Sequence, residues 1–266
     1  MSASDAAARA EHYLLAWHRR HADSSRSFVA VDSDGRSSYD RLASLATKGR
    51  VLDLACGSGA LLELVQDRVP ARDLHGIDLS ASELALAQAR VPVANLTMGR
   101  AQALPYAKGT MQLVLCHMAL MLIDDPGSVL REISRVLSDG GRFGAVTYHA
   151  TPPDGTVATV LRGIQPLFAR LEAVQRVPAL GDPAVCAPVP LSALVAEYFD
   201  DVVTVSFQVT QQIRRSSLWE TLATSVYGFD AIPLRNAEAV LASLELPDPV
   251  PWTIPMLFVH ARRRAD

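Results

Sequence analysis

Two glycines and two aspartates stand at spacings that could hold a nucleoside. The stretch VLDLACGSGALLELV, residues 51–65, is an apolar run that breaks at Gly57 and Gly59 and then resumes at once. Glycine has no Cβ atom, so the backbone can turn tightly there and point the N–H groups of the next helix at a ligand. Asp53 precedes the glycines, and Asp78 follows about 20 residues later, where a carboxylate can accept hydrogen bonds from both ribose hydroxyls. The pattern predicts a nucleoside-binding turn.

The residues after the glycines separate two kinds of nucleotide ligand. A dinucleotide fingerprint reads G-x-G-x-x-G, and its third glycine allows a helix to pack closely on a strand. Leu62 occupies that position here, and a bulky leucine opposes such packing. A nicotinamide-dependent oxidoreductase is therefore an alternative that the sequence disfavours, and titration with each nucleotide would test it.

Segments typical of strands and helices alternate around this turn. RVLDLAC, LHGIDLS, VANLTMG, MQLVLCH and RFGAVTYH are typical of strands, and further strands are predicted at 201–209 and 253–263. Between them, SASELALAQAR (80–90) opens with a capping box of Ser80 and Glu83 and continues as a helix. Strands that alternate with helices at this interval predict a parallel sheet with right-handed crossovers. We expect an α/β fold, a Rossmann-like seven-stranded, mostly parallel sheet with helices on both faces and helical lid insertions.

Composition limits the classes of partner. The chain of 266 residues is 49% hydrophobic and 20% charged with a net charge of −3, so it has no global basic field for nucleic acid. Its three cysteines and seven histidines are scattered, which indicates neither a disulfide framework nor a metal site. No segment reaches the roughly 20 apolar residues that a membrane span needs. We expect a cytoplasmic monomer or homodimer with no metal, nucleic-acid or membrane partner.

The acidic residue ahead of the glycines gives D-x-A-x-G-x-G, which resembles motif I of the class I S-adenosylmethionine-dependent methyltransferases. The resemblance continues in order through GIDLS, GRAQALPYAKGTMQLVLCHMALMLIDDP and LREISRVLSDGGRFGAV, and it covers residues 38–150. The chain is similar to the branch that includes the ubiquinone- and menaquinone-pathway enzymes and many natural-product methyltransferases. The resemblance implies in-line methyl transfer from S-adenosyl-L-methionine to an oxygen or nitrogen atom of a small-molecule acceptor, in specialised biosynthesis.

The resemblance also implies roles for individual residues. Asp53 would help to hold the turn and the amino end of the cofactor, Asp78 would bind the ribose hydroxyls, and Leu79 would pack on the adenine. The glycines would lie against the methionyl part and the ribose. The predicted cofactor-binding residues are Asp53, Ala55, Gly57, Gly59, Asp78, Leu79, Ala101, Gln102, Cys116 and His117.

Two positions depart from the family pattern. The family often has an acidic residue where Arg100 stands, and that carboxylate commonly reaches the adenine amino group. Arginine has no acceptor atom, so Gln102 or backbone carbonyls would have to accept this hydrogen bond. The fourth strand often begins with an aromatic residue and aspartate, and here it begins Met111-Gln112. Neither departure touches the glycine turn or Asp78.

Candidate bases come from three parts of the chain. An oxygen nucleophile with a high pKa benefits from a general base, whereas an unprotonated amine needs only alignment and later proton loss. His117 ends the fourth strand beside the expected methyl position, His149 ends the fifth strand, and Tyr13 could come from an N-terminal lid. These three are the predicted catalytic residues. The alternatives are that His117 fixes its loop or binds the cofactor, and that Tyr13 is solvated surface.

The remaining segments are expected to surround the core within a single domain, 1–266. Residues 48–150 form the cofactor-binding core, 1–47 form an N-terminal helical lid, and 151–200 and 214–250 form helical substrate-lid insertions. An apolar lid suits a small acceptor better than a protein or nucleic acid. Because no unmistakable base is present, a methyltransferase-like fold that binds S-adenosylmethionine without methylating, as a regulator or in other catalysis, is the alternative function.

Overall fold

Helices and strands alternate along the chain, which this computed structural model describes for residues 3–24 and 30–264. The helices are α1 (Ala3–Arg20), α2 (Ser38–Ala43), α3 (Ala60–Val65), α4 (Ala81–Arg90), α5 (Pro126–Val136), α6 (Gly155–Ala169), α7 (Pro188–Ala196), α8 (Leu218–Ser225) and α9 (Leu234–Ser243). The strands are β1 (Val51–Leu54), β2 (Leu74–Asp78), β3 (Asn95–Met98), β4 (Met111–His117), β5 (Leu137–Tyr148), β6 (Phe199–Ile213) and β7 (Val250–Arg263). Of the predicted lid region 1–47, residues 1–2 and 25–29 lie outside the described ranges.

The strands form one sheet in the order β3-β2-β1-β4-β5-β7-β6. Strands β1 to β5 run parallel to their neighbours, and β7 lies antiparallel between β5 and β6. The chain moves outward from β1 to β3 and then returns to the other side of β1, so the strand order reverses between β1 and β4. Open α/β sheets bind ligands beyond the carboxyl ends of the strands at such a point. The predicted fold class is confirmed, and its switch point adjoins the glycine turn.

Apolar side chains cover both faces of the sheet. Helices α5 and α7 bury Ile133 and Leu191 in one cluster, and helices α2 and α3 bury Leu42 and Leu62 in another. Successive strand residues belong to opposite clusters, as the alternation of side chains along a strand requires. A Cβ atom on Gly76 of β2 would lie 2.9 Å from Leu62 Cδ1. Leu62, which stands where a dinucleotide fingerprint has its third glycine, therefore fills the space beside Gly76 on β2.

The two inserted helical stretches share a third apolar cluster. Helix α6 of the first insertion packs with α8 and α9 of the second and with the start of β7. Trp219 and Trp252 belong to this cluster and are buried. Trp17 of α1 is also buried and packs on Tyr227 of the second insertion, with ring centroids 4.6 Å apart. The insertions thus form one helical unit, against which the N-terminal helix packs.

Candidate active site

The turn between β1 and α3 has an unusual backbone. Ala55, Gly57 and Gly59 all have positive φ angles, of 56°, 51° and 82°. For alanine this conformation is unfavourable, and such strain persists only where the surroundings impose it, often at functional sites. A Cβ atom on Gly59 would lie 3.1 Å from the Cα of Ala87, so glycine lets α3 begin in close contact with α4. The predicted turn is therefore present, and its shape depends on these residue types.

Asp78 ties the turn to the end of β2. Its Oδ2 accepts the Gly57 N–H at 2.9 Å, and its Oδ1 accepts the Ser80 N–H at 2.8 Å. Burial raises the pKa of Asp78, while these two backbone N–H groups lower it. A carboxylate offers about four acceptor sites, so roughly two remain after these bonds. Two acceptor sites are what a ribose diol requires.

Asp53 is a buried carboxylate on β1 that lies behind the same turn. Burial, and then the charge of Asp78, raises the pKa of Asp53 well above its usual range. Its Oδ2 atom has no hydrogen-bond partner within the described residues. A buried acceptor that lacks a partner is costly, and a cationic or N–H donor would relieve that cost. The site thus fits a ligand that carries both a sugar diol and an ammonium group.

Leu79, Ala101 and Gln102 follow the ends of β2 and β3. These two strands pair in parallel, and the Gly99 N–H donates to the Asp78 backbone oxygen at 2.9 Å. Leu79, Ala101 and Gln102 are each partly buried. The strand order therefore places Ala101 and Gln102 on the side of Asp78 away from the glycine turn, and Leu79 follows Asp78 directly.

Cys116 and His117 end β4, next to β1. Burial raises the pKa of the Cys116 thiol to about 12, so this side chain is a protonated core residue near neutral pH. The Nε2 atom of His117 lies 2.8 Å from the Ser38 Oγ, and the imidazole stacks on Tyr39 with ring centroids 3.7 Å apart. Burial lowers the pKa of His117 to about 3. His117 is thus a neutral imidazole held by two residues of α2.

The pKa of His117 predicts how stability depends on pH. An unfolded chain protonates this histidine below about pH 6.5, whereas the folded protein does so only near pH 3. The unfolded state therefore binds the extra proton as the pH falls through this window, and folding stability falls with it. We expect the Tm to drop more steeply from about pH 7 to about pH 4 in the wild type than in His117→Gln. Parallel Tm curves from scanning calorimetry would contradict this assignment.

His149 and Tyr13 lie in different surroundings from His117. The His149 N–H donates to the Pro255 oxygen at 3.0 Å, which fixes the residue after β5 to β7. The Tyr13 ring packs edge-on against Tyr227 at 6.3 Å, and burial raises the pKa of Tyr13 to about 12. The contacts of Tyr13 thus join the N-terminal helix to the second insertion rather than to the end of β4.

The capping box predicted at the start of α4 is only half formed. The Ser80 side chain accepts the Glu83 N–H, as expected. The Glu83 carboxylate, however, lies 3.2 Å from the Nδ1 of His18 on α1, and the Ser80 N–H donates to Asp78 instead. Glu83 therefore binds helix α1 instead of the Ser80 N–H, and Asp78 accepts that N–H in its place.

Glu83 also belongs to the candidate site, which the sequence reasoning missed. It is buried, and its Oε2 lies 3.8 Å from where a Cβ atom on Gly57 would stand. The other ring nitrogen of His18 lies 3.1 Å from the Tyr227 hydroxyl, so His18 links α4 to the second insertion. In the sequence a capping glutamate and a glutamate that faces the turn look alike, and no local signal separates them.

The first insertion docks at the ends of β4 and β5. Gly181 has a φ of 58°, and a Cβ atom there would lie only 2.0 Å from the Met121 oxygen. Met121 is itself held to β5, since the Tyr148 N–H points at its sulfur, 3.1 Å away, and the Ala150 N–H donates to the oxygen of Cys186 in the insertion at 2.8 Å. The insertion is thus held by backbone contacts beside the carboxyl ends where a substrate would enter.

The described ranges show neither a metal centre nor a membrane span. They contain no group of three His, Cys, Asp or Glu side chains that could hold a metal ion. No helix in these ranges has both the length and the apolarity to cross a bilayer. A cavity of about 810 Å³ lies in the second insertion near Trp219 and Leu241, and no predicted site residue lines it.

Comparison with known proteins identifies the core of the chain. Residues 52–145 match a family model described as a methyltransferase domain. The chain is 34% identical over 143 residues to the demethylmenaquinone methyltransferase of Lactiplantibacillus plantarum, covering 49% of this chain and 60% of that protein. It is 36% identical over 107 residues to the ubiquinone/menaquinone biosynthesis C-methyltransferase UbiE of Desulfotalea psychrophila, covering 40% and 43%.

These matches span less than two thirds of either relative's own length. Among solved structures, the BH2331 protein of Bacillus halodurans C-125 superposes with a TM-score of 0.59 at 18% identity, covering 86% of this chain and all of that one. At this identity the likeness establishes the fold alone. Residues 52–145 therefore match a methyltransferase domain, and the predicted resemblance to the quinone-pathway branch of the S-adenosylmethionine-dependent methyltransferases is confirmed.

Proposed function

We propose that this chain transfers the methyl group of S-adenosylmethionine to a small-molecule acceptor. The observation that carries the proposal is a pair of carboxylates, the buried Asp53 and the partly buried Asp78, around a glycine turn at the switch point of the sheet, within the region that matches a methyltransferase domain. In this proposal the two free acceptor sites of Asp78 hold the ribose hydroxyls. The unpartnered oxygen of Asp53 receives the ammonium group of the cofactor, directly or through water.

When bound, the cofactor supplies an electrophilic methyl group on a sulfonium centre. The chain's own contribution is to align the acceptor with that methyl group and to exclude water. Helix α1 and the first insertion are suited to this, since His18 and Gly181 hold them over neighbouring strand ends. His117, His149 and Tyr13 remain the proposed catalytic residues. A neutral His117 would orient the acceptor or take up its proton only transiently, because its pKa of about 3 makes it a weak base.

The acceptor is proposed to be small and largely apolar. The names of the relatives support this class, since one is a demethylmenaquinone methyltransferase and another a C-methyltransferase of quinone biosynthesis. The sequence predicts an oxygen or nitrogen acceptor in specialised metabolism, and the second relative's name adds carbon to the atoms to be tested. An active site that aligns the acceptor without a strong general base suits an amine or an activated ring carbon as well as an acidic hydroxyl group.

The proposal is tested by product formation. Purified protein is incubated with methyl-labelled S-adenosylmethionine and a panel of quinols, phenols and amines, and labelled product and S-adenosylhomocysteine are measured by mass spectrometry. Acceptor-dependent formation of both supports the proposal. The Asp78→Asn variant is the matched control for enzyme-independent methylation. No heat on calorimetric titration with S-adenosylmethionine or S-adenosylhomocysteine would overturn the proposal.

A second function is favoured by one observation at the site. Burial gives His117 a pKa of about 3 and Tyr13 a pKa of about 12, so neither has a pKa matched to proton transfer near neutral pH. Binding of S-adenosylmethionine without methyl transfer, in regulation or other catalysis, is compatible with this. Tight binding without methylated product from any acceptor class would favour this second function.

His117 can be tested separately from the cofactor site. We expect His117→Ala to lower kcat while the Kd for S-adenosylhomocysteine stays within a few-fold of wild type, because the carboxylates that hold the cofactor are untouched. A loss on the order of tenfold to a hundredfold in kcat would fit a positioning or proton-transfer role. Ser38→Ala, which removes only the partner of Nε2, should give a smaller loss in the same direction. Wild-type turnover in His117→Ala would reject a role in the reaction.

A further inference from the structure

Helix α1 crosses the carboxyl ends of three neighbouring strands. At one end the Glu11 carboxylate pairs with Arg100, two residues after β3. Just beyond the carboxyl end of the helix, Asp23 accepts a hydrogen bond from the hydroxyl of Ser58, in the turn after β1, at 2.7 Å. Between them the His18 contact holds the helix to the start of α4. Glu11 and His18 are seven positions apart, about 10 Å along a helix, which is about two strand spacings of the sheet.

The sheet order places the base of a bound nucleoside beneath Glu11. The glycine turn lies on the β1 side of Asp78, and β3 lies on the other side. The Gly99 N–H donates to the Asp78 backbone oxygen, so the segment that follows β3 borders the sugar site directly. If the amino-acid part of the ligand occupies the turn and its sugar binds Asp78, the base must extend towards β3. The walls there are the residues after β3 and α1 above them.

The polar groups of this wall have an uneven balance of donors and acceptors. Adenine presents an exocyclic amino donor, and Arg100 offers donors only. Glu11 brings a carboxylate to the same place, and its contact with Arg100 uses one oxygen, Oε2. The Glu11 side chain is 30% exposed against 53% for Arg100, so the carboxylate is the more enclosed partner. We infer that Glu11, oriented by Arg100, accepts the hydrogen bond of the purine amino group.

This inference rests on the proposed function and goes further in one respect. Helix α1 becomes a wall of the base pocket as well as a cover for the site. Arg100 is then a positioning residue for Glu11. The acidic group that the family often has at this position, where this chain has Arg100, is supplied instead by a residue 89 positions earlier in the chain.

Two ligands that differ only at the purine 6-position test the inference. Calorimetry is run on the full chain with S-adenosylhomocysteine and with S-inosylhomocysteine, whose 6-oxo group is an acceptor. The wild type is expected to prefer the amino ligand by about tenfold or more, since the partly buried Glu11 carboxylate would face a second acceptor in the 6-oxo group of the inosyl ligand. Glu11→Ala is expected to reduce this ratio to within about twofold of unity. Glu11→Gln, whose amide can donate to the 6-oxo group, is expected to favour the inosyl ligand relative to wild type.

Control variants distinguish recognition of the purine base by Glu11 from anchoring of helix α1. Arg9 lies on the exposed side of the same helix and donates to the Ala173 oxygen at 3.4 Å, so Arg9→Gln should leave the ligand ratio unchanged. If Glu11→Ala weakens both ligands equally, Glu11 only anchors the lid and the inference is wrong. An unchanged ratio in Glu11→Ala would also overturn it and assign the bond to Gln102 or to the backbone. If the wild type binds neither ligand, the proposed function itself fails.

Discussion

Asp78→Ala is expected to weaken binding of S-adenosylmethionine and S-adenosylhomocysteine by on the order of a hundredfold or more. The change removes both acceptors proposed for the ribose diol, and hydrogen bonds to a charged group are worth about 1.5–3 kcal/mol each. It also releases the Gly57 and Ser80 N–H groups, which the carboxylate holds at 2.9 and 2.8 Å. Isothermal titration calorimetry measures the loss directly.

Asp78→Asn separates ligand binding from the shape of the turn. An asparagine keeps one acceptor oxygen and the size of the side chain. Burial raises the pKa of Asp78 in the folded protein, so the ionised carboxylate opposes folding once the pH rises through that pKa. The Asn variant should bind the cofactor weakly at neutral pH and should lower the Tm less than Asp78→Ala, because its one oxygen still accepts one of the two backbone N–H groups. Asp73→Asn, just before the opposite end of β2, is the control that should retain wild-type affinity. Full affinity in Asp78→Ala would remove the basis of the site assignment.

Gly181→Ala is expected to abolish most acceptor-dependent turnover and to lower the Tm. The added Cβ would stand 2.0 Å from the Met121 oxygen and 2.6 Å from its carbonyl carbon. Because both are backbone atoms, no side-chain rotation relieves the overlap, and the first insertion must move away from the end of β4. Asp53 and Asp78, the carboxylates proposed to bind the cofactor, lie on β1 and β2. The Kd for S-adenosylhomocysteine should therefore change much less than kcat.

Gly155→Ala is the matched control for this change. Gly155 lies in the same insertion with a similar φ of 52°, and a Cβ atom there would meet nothing within 4 Å. It therefore measures the cost of the backbone conformation alone, about 1 kcal/mol, or a few degrees in Tm for a chain of this size. Equal effects of the two substitutions on Tm and turnover would show that docking against Met121 does not matter.

The turn and the sheet could be predicted because their signals are local. Gly57, Gly59 and Asp78 lie within one strand-turn-helix-strand unit, and the spacing of residue types follows directly from the geometry of that unit. The parallel sheet with right-handed crossovers followed from strands that alternate with helices. The family match over residues 52–145 falls in this same region.

The contacts that complete the candidate site could not be predicted in the same way. His18 meets Glu83 across 65 residues of sequence, and Ser38 meets His117 across 79. Helical periodicity shows which face of α1 or α2 is buried, but it does not specify the partner of that face. The position of Tyr13 illustrates the limit, since it was predicted as a catalytic residue of a lid and its ring packs on Tyr227 of the second insertion.

The placement of the tryptophans gives this protein a built-in optical reporter. Its three indoles, Trp17, Trp219 and Trp252, are all buried in the N-terminal helix, the second insertion and the start of β7, and none lies in strands β1 to β5 or the helices between them. Their emission should respond when the N-terminal helix or the second insertion moves, whereas strands β1 to β5 contribute no tryptophan emission. Stopped-flow fluorescence could therefore measure the rate of any movement of the N-terminal helix or the second insertion on ligand binding, without an added label.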